Sequence, residues 1–315
     1  MSRIHEALKK AEQERITLPP AEALGPQSVP VESDAAPAEY VPAQLSSEES
    51  RHVATARPPA FLDGPRTLRF EDLVANCTRP RWILDPNVNV FSSSDVNASG
   101  AEQFRTLRSR LYQLRNDQQV RTLLITSTGP GEGKTFVASN LAQAIVRQPD
   151  RRVLLIDADL RRARLHVPFG APTGPGLAEY LRGEADEAAV MQCGGEDNLF
   201  LIPGGDEVAN PSELLSNGRL STLLNRVRPL FDWVLLDSPP CLPVADASIL
   251  ANYCDAVLFV VRAGATPSEV AQRAMQELQG RHVAGVVLNA IEEADGYNAY
   301  YYQTYGYGTE AAAGR

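Results

Sequence analysis

A glycine-rich turn separates an apolar run from a helix-like run in the stretch LLITSTGPGEGKTFVASN. Such a turn presents successive backbone N–H groups at a helix N-terminus, where they can bind phosphate oxygens. Lys134 could reach the β- and γ-phosphates of a nucleotide, and Thr135 could offer its hydroxyl to Mg²⁺. Thr128 stands where the strict pattern has glycine, and a purely structural glycine turn is the alternative. We predict that the nucleotide is bound by the loop residues Gly129, Pro130, Gly131, Glu132, Gly133, Lys134, Thr135 and Phe136.

Acidic residues that end two other apolar runs could complete a magnesium site. Asp157 and Asp159 end the run LLIDAD, and Asp237 ends the run WVLLD. Because residues two apart on a strand share a face, both aspartates of the first run could point into one site. Ligand sites of open α/β sheets lie at the carboxyl ends of the strands. For Asp157 taken alone, an exposed surface carboxylate is the alternative. We expect Mg²⁺ to be held by Thr135, Asp159 and Asp237.

Apolar runs of strand length alternate with helix-length stretches from about residue 99 onward. The runs show no polar alternation, which indicates strands buried on both faces, and the intervening helices indicate parallel crossovers. We therefore predict an α/β fold of the P-loop NTPase type, with a mainly parallel, doubly wound sheet and helices on both faces. The predicted strands lie in residues 121–127, 151–159, 198–203, 232–238, 255–261 and 282–289, and the helix-length stretches include 135–148 and 211–227.

Composition divides the chain into four regions. Residues 1–16 fit a short amphipathic helix that could dock on the core, on a partner or on a membrane surface. Residues 17–98 begin with a segment rich in Pro, Ala, Glu and Ser, which predicts a largely disordered linker followed by a surface strap. Residues 99–290 are expected to form the P-loop domain, and residues 291–315 a flexible C-terminal tail.

Overall composition argues against several classes of protein, although a local basic patch could still exist. The chain has 315 residues, 43% of them hydrophobic, which is enough for a sizeable core. A net charge of −9 and a pI near 5.1 argue against a nucleic-acid partner, which needs a basic face. The four cysteines form no CxxC pair and are typical of reduced thiols in the cytoplasm. No apolar run approaches the roughly 18–20 residues of a transmembrane helix, so we expect any membrane role to require a partner.

Six of the ten tyrosines crowd into the stretch DGYNAYYYQTYGYG near the C-terminus. This stretch follows the last predicted strand, is punctuated by glycines and has no apolar stripe. A buried tyrosine cluster would need space-filling neighbours and a partner for each hydroxyl, whereas a glycine-punctuated tail can present its hydroxyls to a cleft. A sticky aromatic tail used for stacking is the alternative. The six residues are Tyr297, Tyr300, Tyr301, Tyr302, Tyr305 and Tyr307.

Several segments resemble the bacterial tyrosine kinases, the P-loop kinases of capsule and exopolysaccharide loci. TSTGPGEGKT, LLIDADLRR and WVLLDSPP are similar to that family's Walker A, A′ and B motifs, and NPSELL, FVVRAGAT and GVVLN are similar to its core sequences. The resemblance covers about residues 99–308. AEQFRTLRSRL looks like the family's ExxRxxR oligomerisation motif, for which a solvated charged helix face is the alternative; its residues are Glu102, Arg105 and Arg108.

The resemblance implies an ATP- and Mg²⁺-dependent tyrosine autokinase that acts in trans on C-terminal tyrosines within a ring-like homo-oligomer and regulates exopolysaccharide synthesis or export. It implies the catalytic residues Lys134, Asp157 and Asp159, with Asp157 near the incoming hydroxyl to orient it or accept its proton. Asn289 could contact adenine or could be a structural residue at a strand end. The implied partners are a phosphotyrosine phosphatase and a membrane-anchored polysaccharide chain-length regulator, an activator that recruits this cytoplasmic chain to the inner face of the plasma membrane.

Two rival functions and one finer assignment accompany this reading. A partitioning-type ATPase would have a second lysine where this chain has Gly129, and it would lack the tyrosine tail. A non-catalytic nucleotide-binding scaffold is disfavoured by the intact Lys134, Asp157 and Asp237. The opening MSRIHEALKKAEQER is similar to the subfamily found with exosortase-linked (PEP-CTERM) exopolysaccharide loci. Ala163 stands where the family often has proline, a departure that affects no catalytic residue.

Overall fold

The computed structural model describes residues 68–91, 99–194 and 198–291, and a seven-stranded sheet forms its centre. The strand order is β3-β4-β2-β5-β1-β6-β7. β3 is antiparallel to β4, and every other pair of neighbouring strands is parallel, so the prediction of a mainly parallel sheet is confirmed. The strands are β1 (Thr122–Ser127), β2 (Val153–Asp157), β3 (Gln192–Cys193), β4 (Leu199–Ile202), β5 (Trp233–Asp237), β6 (Ala256–Arg262) and β7 (Val283–Asn289).

Helices cover both faces of this sheet. All six residues of β1 are buried, and successive side chains enter different apolar clusters: Leu124 lies in one, and Leu123 and Ile125 lie in the other. A strand with this pattern needs cover on each side. The predicted doubly wound architecture is therefore confirmed. The helices in the described ranges are α1 (Phe70–Asn76), α2 (Ser99–Gln118), α3 (Lys134–Val146), α4 (Leu177–Arg182), α5 (Glu187–Val190), α6 (Pro211–Leu215), α7 (Arg219–Val227), α8 (Asp246–Ala251) and α9 (Ser268–Gln276).

The central strand β1 and helix α3 hold the glycine-rich turn between them. α3 is buried on nearly every side, because its apolar and small residues pack against the sheet on one side and against α2 on the other. Phe136 of α3 meets Phe104 of α2 edge to face, with their ring centroids 5.8 Å apart. Both ends of the turn are thereby anchored in rigid elements.

The stretch 211–227 forms two helices rather than one. α6 ends at Leu215 and α7 begins at Arg219, and Gly218 between them has a φ of 84°. Glycine adopts this left-handed conformation readily and other residues do so at a cost, so the chain turns here instead of continuing the helix. β3 is absent from the sequence prediction, since two residues are too few to carry a periodic pattern.

Helix α1 packs into the core of the domain, within a range that the sequence assigns to a linker and strap. Leu73 is fully buried. The ring of Phe70 lies edge to face with the rings of Phe200 and Phe231, at centroid distances of 5.6 and 6.0 Å. Apolar contacts of this kind are made by core residues, so residues 70–76 contribute to the stability of the domain.

The segment that follows α1 lies along α3. Asn140 of α3 accepts a hydrogen bond from the backbone N–H of Val90 at 2.9 Å and donates one to the carbonyl of Val88 at 2.8 Å. These two bonds satisfy backbone groups that would otherwise be partly buried without partners. Residues 88–90 are thus a strap on the domain surface, fixed by one asparagine.

We expect Leu73→Ala to lower the free energy of unfolding by about 2–5 kcal/mol, because the change removes a fully buried side chain and leaves a cavity. Urea titration measures this value. The exposed Glu71 on the same helix provides the matched control, and Glu71→Ala is expected to stay within about 0.5 kcal/mol of the wild type. Equal unfolding midpoints for the two variants would show that α1 is not part of the cooperative core.

Several predictions concern residues outside the described part of the chain. They include the helix over 1–16, the linker up to residue 67 and the tyrosine tail. Among the helices that the structure describes, none is long and apolar enough to cross a membrane.

Candidate active site

The glycine-rich loop runs from Ser127 at the end of β1 to Lys134 at the start of α3. Gly131 and Gly133 have φ values of 79° and 93°, a left-handed conformation that suits glycine. A Cβ atom at Gly133 would lie 2.0 Å from Nδ2 of Asn289, so no larger residue fits there without movement. The loop brings backbone amides to the N-terminus of a 13-residue helix, and this arrangement favours an anion.

Glu132 holds the loop in shape through its side chain. Its carboxylate accepts hydrogen bonds from the backbone N–H groups of Thr128 at 3.1 Å and Gly129 at 3.3 Å, and from the hydroxyl of Thr266 at 2.8 Å. Only 5% of the residue is exposed, and burial raises the pKa of its carboxyl while these hydrogen bonds oppose the rise. Glu132 therefore links the phosphate loop to the segment that follows β6.

Asn289 holds the same loop from the end of β7. Its Nδ2 donates to the carbonyl of Glu132 at 2.9 Å. Glu132 thus receives two contacts from outside the loop: Thr266 binds its side chain, and Asn289 binds its backbone carbonyl. The sequence suggested two roles for Asn289, and this hydrogen bond gives it a structural contact at the strand end.

Asp157 and Asp237 lie opposite each other at the ends of β2 and β5. Asp157 is fully buried, and its carboxylate accepts from the N–H of Leu165 at 2.8 Å and of Asp159 at 3.2 Å. Burial, followed by repulsion from Asp237, raises the pKa of Asp157 well above its ordinary value. Two carboxylates so close in a buried place cannot both ionise easily without a cation, which marks this edge of the sheet as a cation-binding or proton-handling site.

The three predicted magnesium ligands have the chemistry that a hard cation needs. The hydroxyl of Thr135 donates to Oδ2 of Asp237 at 2.6 Å, and Oδ1 of Asp237 is buried without a hydrogen-bond partner among the described residues. Asp159 stands nearby, since its charge contributes to the raised pKa of Asp237. Mg²⁺ prefers oxygen ligands and usually takes one or two carboxylates together with substrate phosphates and water. No group of three or more His, Cys, Asp or Glu residues in the described ranges could hold a metal ion by itself.

Lys134 lies beside these acids. Only 8% of the residue is exposed, and its positive charge opposes the effect of burial by lowering the pKa values of Asp159 and Asp237. A lysine at the first residue of α3 can serve both the carboxylates and a phosphate. The structure thus brings together the loop, the lysine and the three aspartates that the sequence singles out.

Asp159 lies in a turn and not on the strand that its spacing from Asp157 predicts. β2 ends at Asp157, so Asp159 is not on the strand, and its Oδ1 instead accepts from the N–H of Arg162 in the turn that follows. Strand alternation therefore does not explain its position. Burial raises the pKa of its carboxyl, but less of it is buried than of Asp157.

An ion pair between an exposed arginine and a buried aspartate, which the sequence analysis missed, fixes this turn. Arg161 donates to both oxygens of Asp246, at 2.7 and 3.2 Å, and to the hydroxyl of Ser212 at 3.1 Å. The Ser212 hydroxyl in turn donates to Asp246, which is fully buried at the start of α8. The bidentate pair ties the turn that carries Asp159 to α6 and α8. The segments DLRR and NPSELL belong to stretches that resemble family motifs, but neither carries a local signal that the two meet.

The remaining predicted residues lie elsewhere. Pro130 is exposed at the tip of the loop, and Phe136 is half-buried against α2. On α2, Arg105 pairs with Glu102 at 3.0 Å, and Arg108 donates to the carbonyl of Ala144 in its own chain at 2.5 Å. The six predicted phosphoacceptor tyrosines fall outside the described residues.

Asp237→Asn is expected to change how stability depends on pH in magnesium-free buffer. Burial raises the folded-state pKa of Asp237 to about 7, above the unfolded value of about 3.9, so the folded protein binds more protons in this window. Wild-type stability is then present in full below the window and is lost as pH rises through it. Asparagine cannot ionise, so urea titration should find the variant more stable than wild type at pH 8 by on the order of 2 kcal/mol.

The control for this prediction is Asp206→Asn, at an exposed carboxylate. It should follow the wild type at every pH. If the free energies of unfolding of Asp237→Asn and wild type differed by the same amount at pH 5 and pH 8, the raised pKa would not belong to Asp237.

The fold and the loop define a nucleotide-binding domain of the P-loop class. Residues 123–303 match the family model described as the CobQ/CobB/MinD/ParA nucleotide binding domain, which covers more than half of the chain. The parallel sheet, the loop after the central strand and the acidic strand ends are the parts of such a domain that receive a nucleotide.

Similarity to characterised proteins narrows the class. The chain is 35% identical over 252 residues to the tyrosine-protein kinase Etk of Escherichia coli (strain K12), a match that covers 79% of this chain and 34% of Etk. It is 36% identical over 190 residues to the tyrosine-protein kinase YwqD of Bacillus subtilis (strain 168), covering 60% of this chain and 80% of YwqD. The solved kinase domain of Escherichia coli ETK superposes with a TM-score of 0.62 at 35% identity, over 64% of this chain and 80% of that domain.

This protein belongs to the bacterial tyrosine-protein kinase family. It spans about a third of the length of Etk but most of the length of YwqD. The family resemblance drawn from the Walker-type motifs is thereby confirmed.

Proposed function

We propose that this chain is an ATP-dependent protein tyrosine autokinase whose substrates are C-terminal tyrosines of a neighbouring copy in an oligomer. The observation that carries the proposal is that Asp157 and Asp237 lie opposite each other beside a glycine-rich phosphate loop, in a chain of the tyrosine kinase family that carries six tyrosines after β7. A loop alone would support nucleotide binding, whereas the second buried carboxylate provides a group for an acceptor hydroxyl.

The reaction joins the phenol oxygen to the γ-phosphorus of ATP while the bond from that phosphorus to the β,γ-bridging oxygen breaks, and ADP leaves. The phenol has a pKa near 10 and is a poor nucleophile at neutral pH. Asp157 would orient the hydroxyl and accept its proton, a task for which its raised pKa suits it. Lys134 and the loop amides would stabilise the charge of the transferring group, which is the main source of rate in phosphoryl transfer.

Magnesium would be held by Thr135, Asp159 and Asp237 together with the nucleotide phosphates. When bound, Mg²⁺ neutralises charge on the β- and γ-phosphates. We also propose that Asn289 contacts adenine; its Nδ2 already donates to Glu132, so the contact would use the remaining amide groups. Gly129, Pro130 and Phe136 are proposed to line the nucleotide site with the rest of the loop.

Oligomer assembly and its control form the cellular part of the proposal. Glu102 and Arg105 are proposed to contact a neighbouring subunit of a ring, and Arg108 would do so with the donor capacity left beyond Ala144. A membrane-anchored chain-length regulator would activate the chain at the inner face of the plasma membrane, a phosphotyrosine phosphatase would reverse the reaction, and cycling would regulate exopolysaccharide synthesis or export. The exosortase-linked subfamily remains a prediction from residues 1–15.

Incubation of the purified chain with γ-labelled ATP and Mg²⁺ tests the activity. Label on tyrosine supports the kinase, free phosphate without labelled protein supports a partitioning-type ATPase, and neither supports a non-catalytic scaffold. Transfer between chains is tested by mixing a Lys134→Met chain, which keeps its tail, with a chain whose six tail tyrosines are phenylalanine. Tyrosine label on the Lys134→Met chain can then come only from its neighbour.

Autophosphorylation is expected to loosen the oligomer. Each phosphotyrosine adds a charge of about −1.5 to −2 at pH 7, and the chain already carries −9, so several modified tails in one ring would repel each other. Native mass measurement before and after ATP treatment should record a shift toward smaller species. The chain with six tail phenylalanines is the control, and an unchanged mass for the phosphorylated wild type would refute the expectation.

A further inference from the structure

A patch of exposed aliphatic and arginine side chains lies beside the turn that follows β2. Ile83, Leu84 and Val167 are 70%, 37% and 51% exposed, which is unusual for large apolar residues. Exposed apolar groups that lie together often mark a docking surface. Three exposed arginines accompany them in the same two segments. We call this set the basic patch; it consists of Arg81, Ile83, Leu84, Arg162, Arg164 and Val167.

Backbone contacts bring the two segments of the basic patch together. The N–H of Ile83 donates to the carbonyl of Phe169 at 2.9 Å, and the N–H of Asp85 donates to the carbonyl of Pro168 at 3.0 Å. Gly170 permits this close approach, because a Cβ there would lie 2.6 Å from the carbonyl oxygen of Ile83. These backbone contacts hold the two segments of the basic patch together as an ordered part of the domain.

The basic patch adjoins the reactive edge of the sheet. Leu165, between Arg164 and the apolar Val167, donates its N–H to the carboxylate of Asp157 at 2.8 Å. Arg162 donates its N–H to Asp159 at 3.1 Å. A ligand on the patch would therefore lie next to the proposed proton acceptor.

The arginines of the basic patch are available for an acidic partner. Within the described ranges, none of Arg81, Arg162 and Arg164 forms an ion pair, although the whole chain carries a charge of −9. Uncompensated basic side chains beside exposed aliphatic ones suit a segment that combines carboxylates with large apolar or aromatic groups.

The start of the C-terminal tail has this composition and leads directly into the proposed acceptor tyrosines. Glu292, Glu293 and Asp295 immediately precede the tyrosine cluster, in the sequence EEADGYNAYYY. Asp295 and Tyr297 are two positions apart in the sequence, a separation that the backbone can span over at most about 7 Å. Val167 of the patch is likewise two positions from Leu165, which contacts Asp157. Carboxylates held on the patch would thus leave the first tyrosines within reach of the site.

We propose that the basic patch is the docking surface for the acidic start of the tail, residues 292–302, of a second copy of this chain. The inference rests on the proposed autokinase function and adds the surface that selects the acceptor segment. Docking by charge and apolar contact places several tyrosines near one site in turn, without a sequence-specific pocket for each.

Fluorescence anisotropy with a labelled peptide of residues 291–315 tests the proposal without ATP. The protein is the full chain with Glu292→Ser, Glu293→Ser and Asp295→Ser, so that its own tail does not compete. At low ionic strength we expect Arg164→Glu and Ile83→Ser each to weaken peptide binding about five-fold. Arg273→Glu, at an exposed arginine on α9, is the matched control and should leave the Kd unchanged.

A charge exchange separates docking from a structural defect. A peptide with lysine at positions 292, 293 and 295 should bind the parent protein about ten-fold more weakly and should bind the Arg164→Glu protein better than the parent. Equal affinity across all these pairs would overturn the proposal, whatever the outcome of the labelling experiment. Sedimentation with phosphatidylglycerol vesicles that depends on Arg164, with peptide binding unaffected, would assign the patch to an anionic membrane surface and overturn it as well.

Discussion

Lys134→Met is expected to lower phosphate incorporation into the tail about 1000-fold. The lysine is almost buried at the first residue of α3, among Asp159, Asp237 and the phosphate loop, where its charge acts with little screening by water. Loss of one preorganised charge at a transferring phosphoryl group commonly costs two to three orders of magnitude or more, by about the same factor as loss of an oxyanion donor. Quantitative mass spectrometry of residues 291–315 after incubation with Mg·ATP measures the effect.

Methionine keeps much of the length of lysine, so the fold is expected to survive this substitution. Urea unfolding of the variant verifies that point. Arg273→Met, which removes an exposed cation from α9, should leave tail phosphorylation at the wild-type level. Wild-type phosphorylation by Lys134→Met would remove the phosphate loop from the mechanism.

Asp157→Asn is expected to lower kcat about 100- to 1000-fold, with little change in the KM for ATP. The residue is proposed to serve the acceptor hydroxyl, and removal of a general base costs about this much. The pH dependence of kcat tests whether Asp157 is the proton acceptor. Because only the ionised carboxylate can accept a proton, wild-type kcat should increase as pH rises through the raised pKa of Asp157. The asparagine variant should lose that increase.

The pH profile distinguishes catalysis from simple loss of packing. A variant that was merely unstable would lose activity at every pH and would keep the slope of the wild type. Asp206→Asn, at an exposed carboxylate, should reproduce the wild-type profile. An Asp157→Asn enzyme with a wild-type slope would mean that another group takes the proton.

The sequence predicts the sheet and the residues at its edge because both have local signals. Strands buried on both faces read as unbroken apolar runs, as β1, β2, β4 and β5 do. The run of β7 also predicts a strand, although the structure leaves all of its residues half-buried. Asp157 and Asp237 come last in two of those runs, and neighbouring parallel strands end at one edge, so the meeting of these residues follows from position alone. The loop is recognised from its glycines and from the lysine that opens the next helix.

Contacts between distant side chains have no such signal. Arg161 and Asp246 are 85 residues apart, and Thr266 and Glu132 are 134 apart. Each pair links loops whose relative positions depend on the whole fold. The expectation that Asp159 shares a strand face with Asp157 does not hold, since β2 stops two residues before Asp159. Helix α1 lacks a strong pattern in a region whose average composition is that of a linker, and its role depends on contacts with Phe200 and Phe231.

Two hydrogen bonds from outside the phosphate loop hold Glu132, and they determine at which stage the loop loses its conformational entropy. Thr266 and Asn289 hold this residue through contacts within the chain itself, so the chain loses the loop's conformational freedom when it folds. Less of the nucleotide's binding free energy is then needed to order the loop that binds it. A preorganised loop of this kind selects ligands by how well they fit its existing shape. The affinities of ADP and ATP for such a loop then differ by the contacts that the γ-phosphate makes.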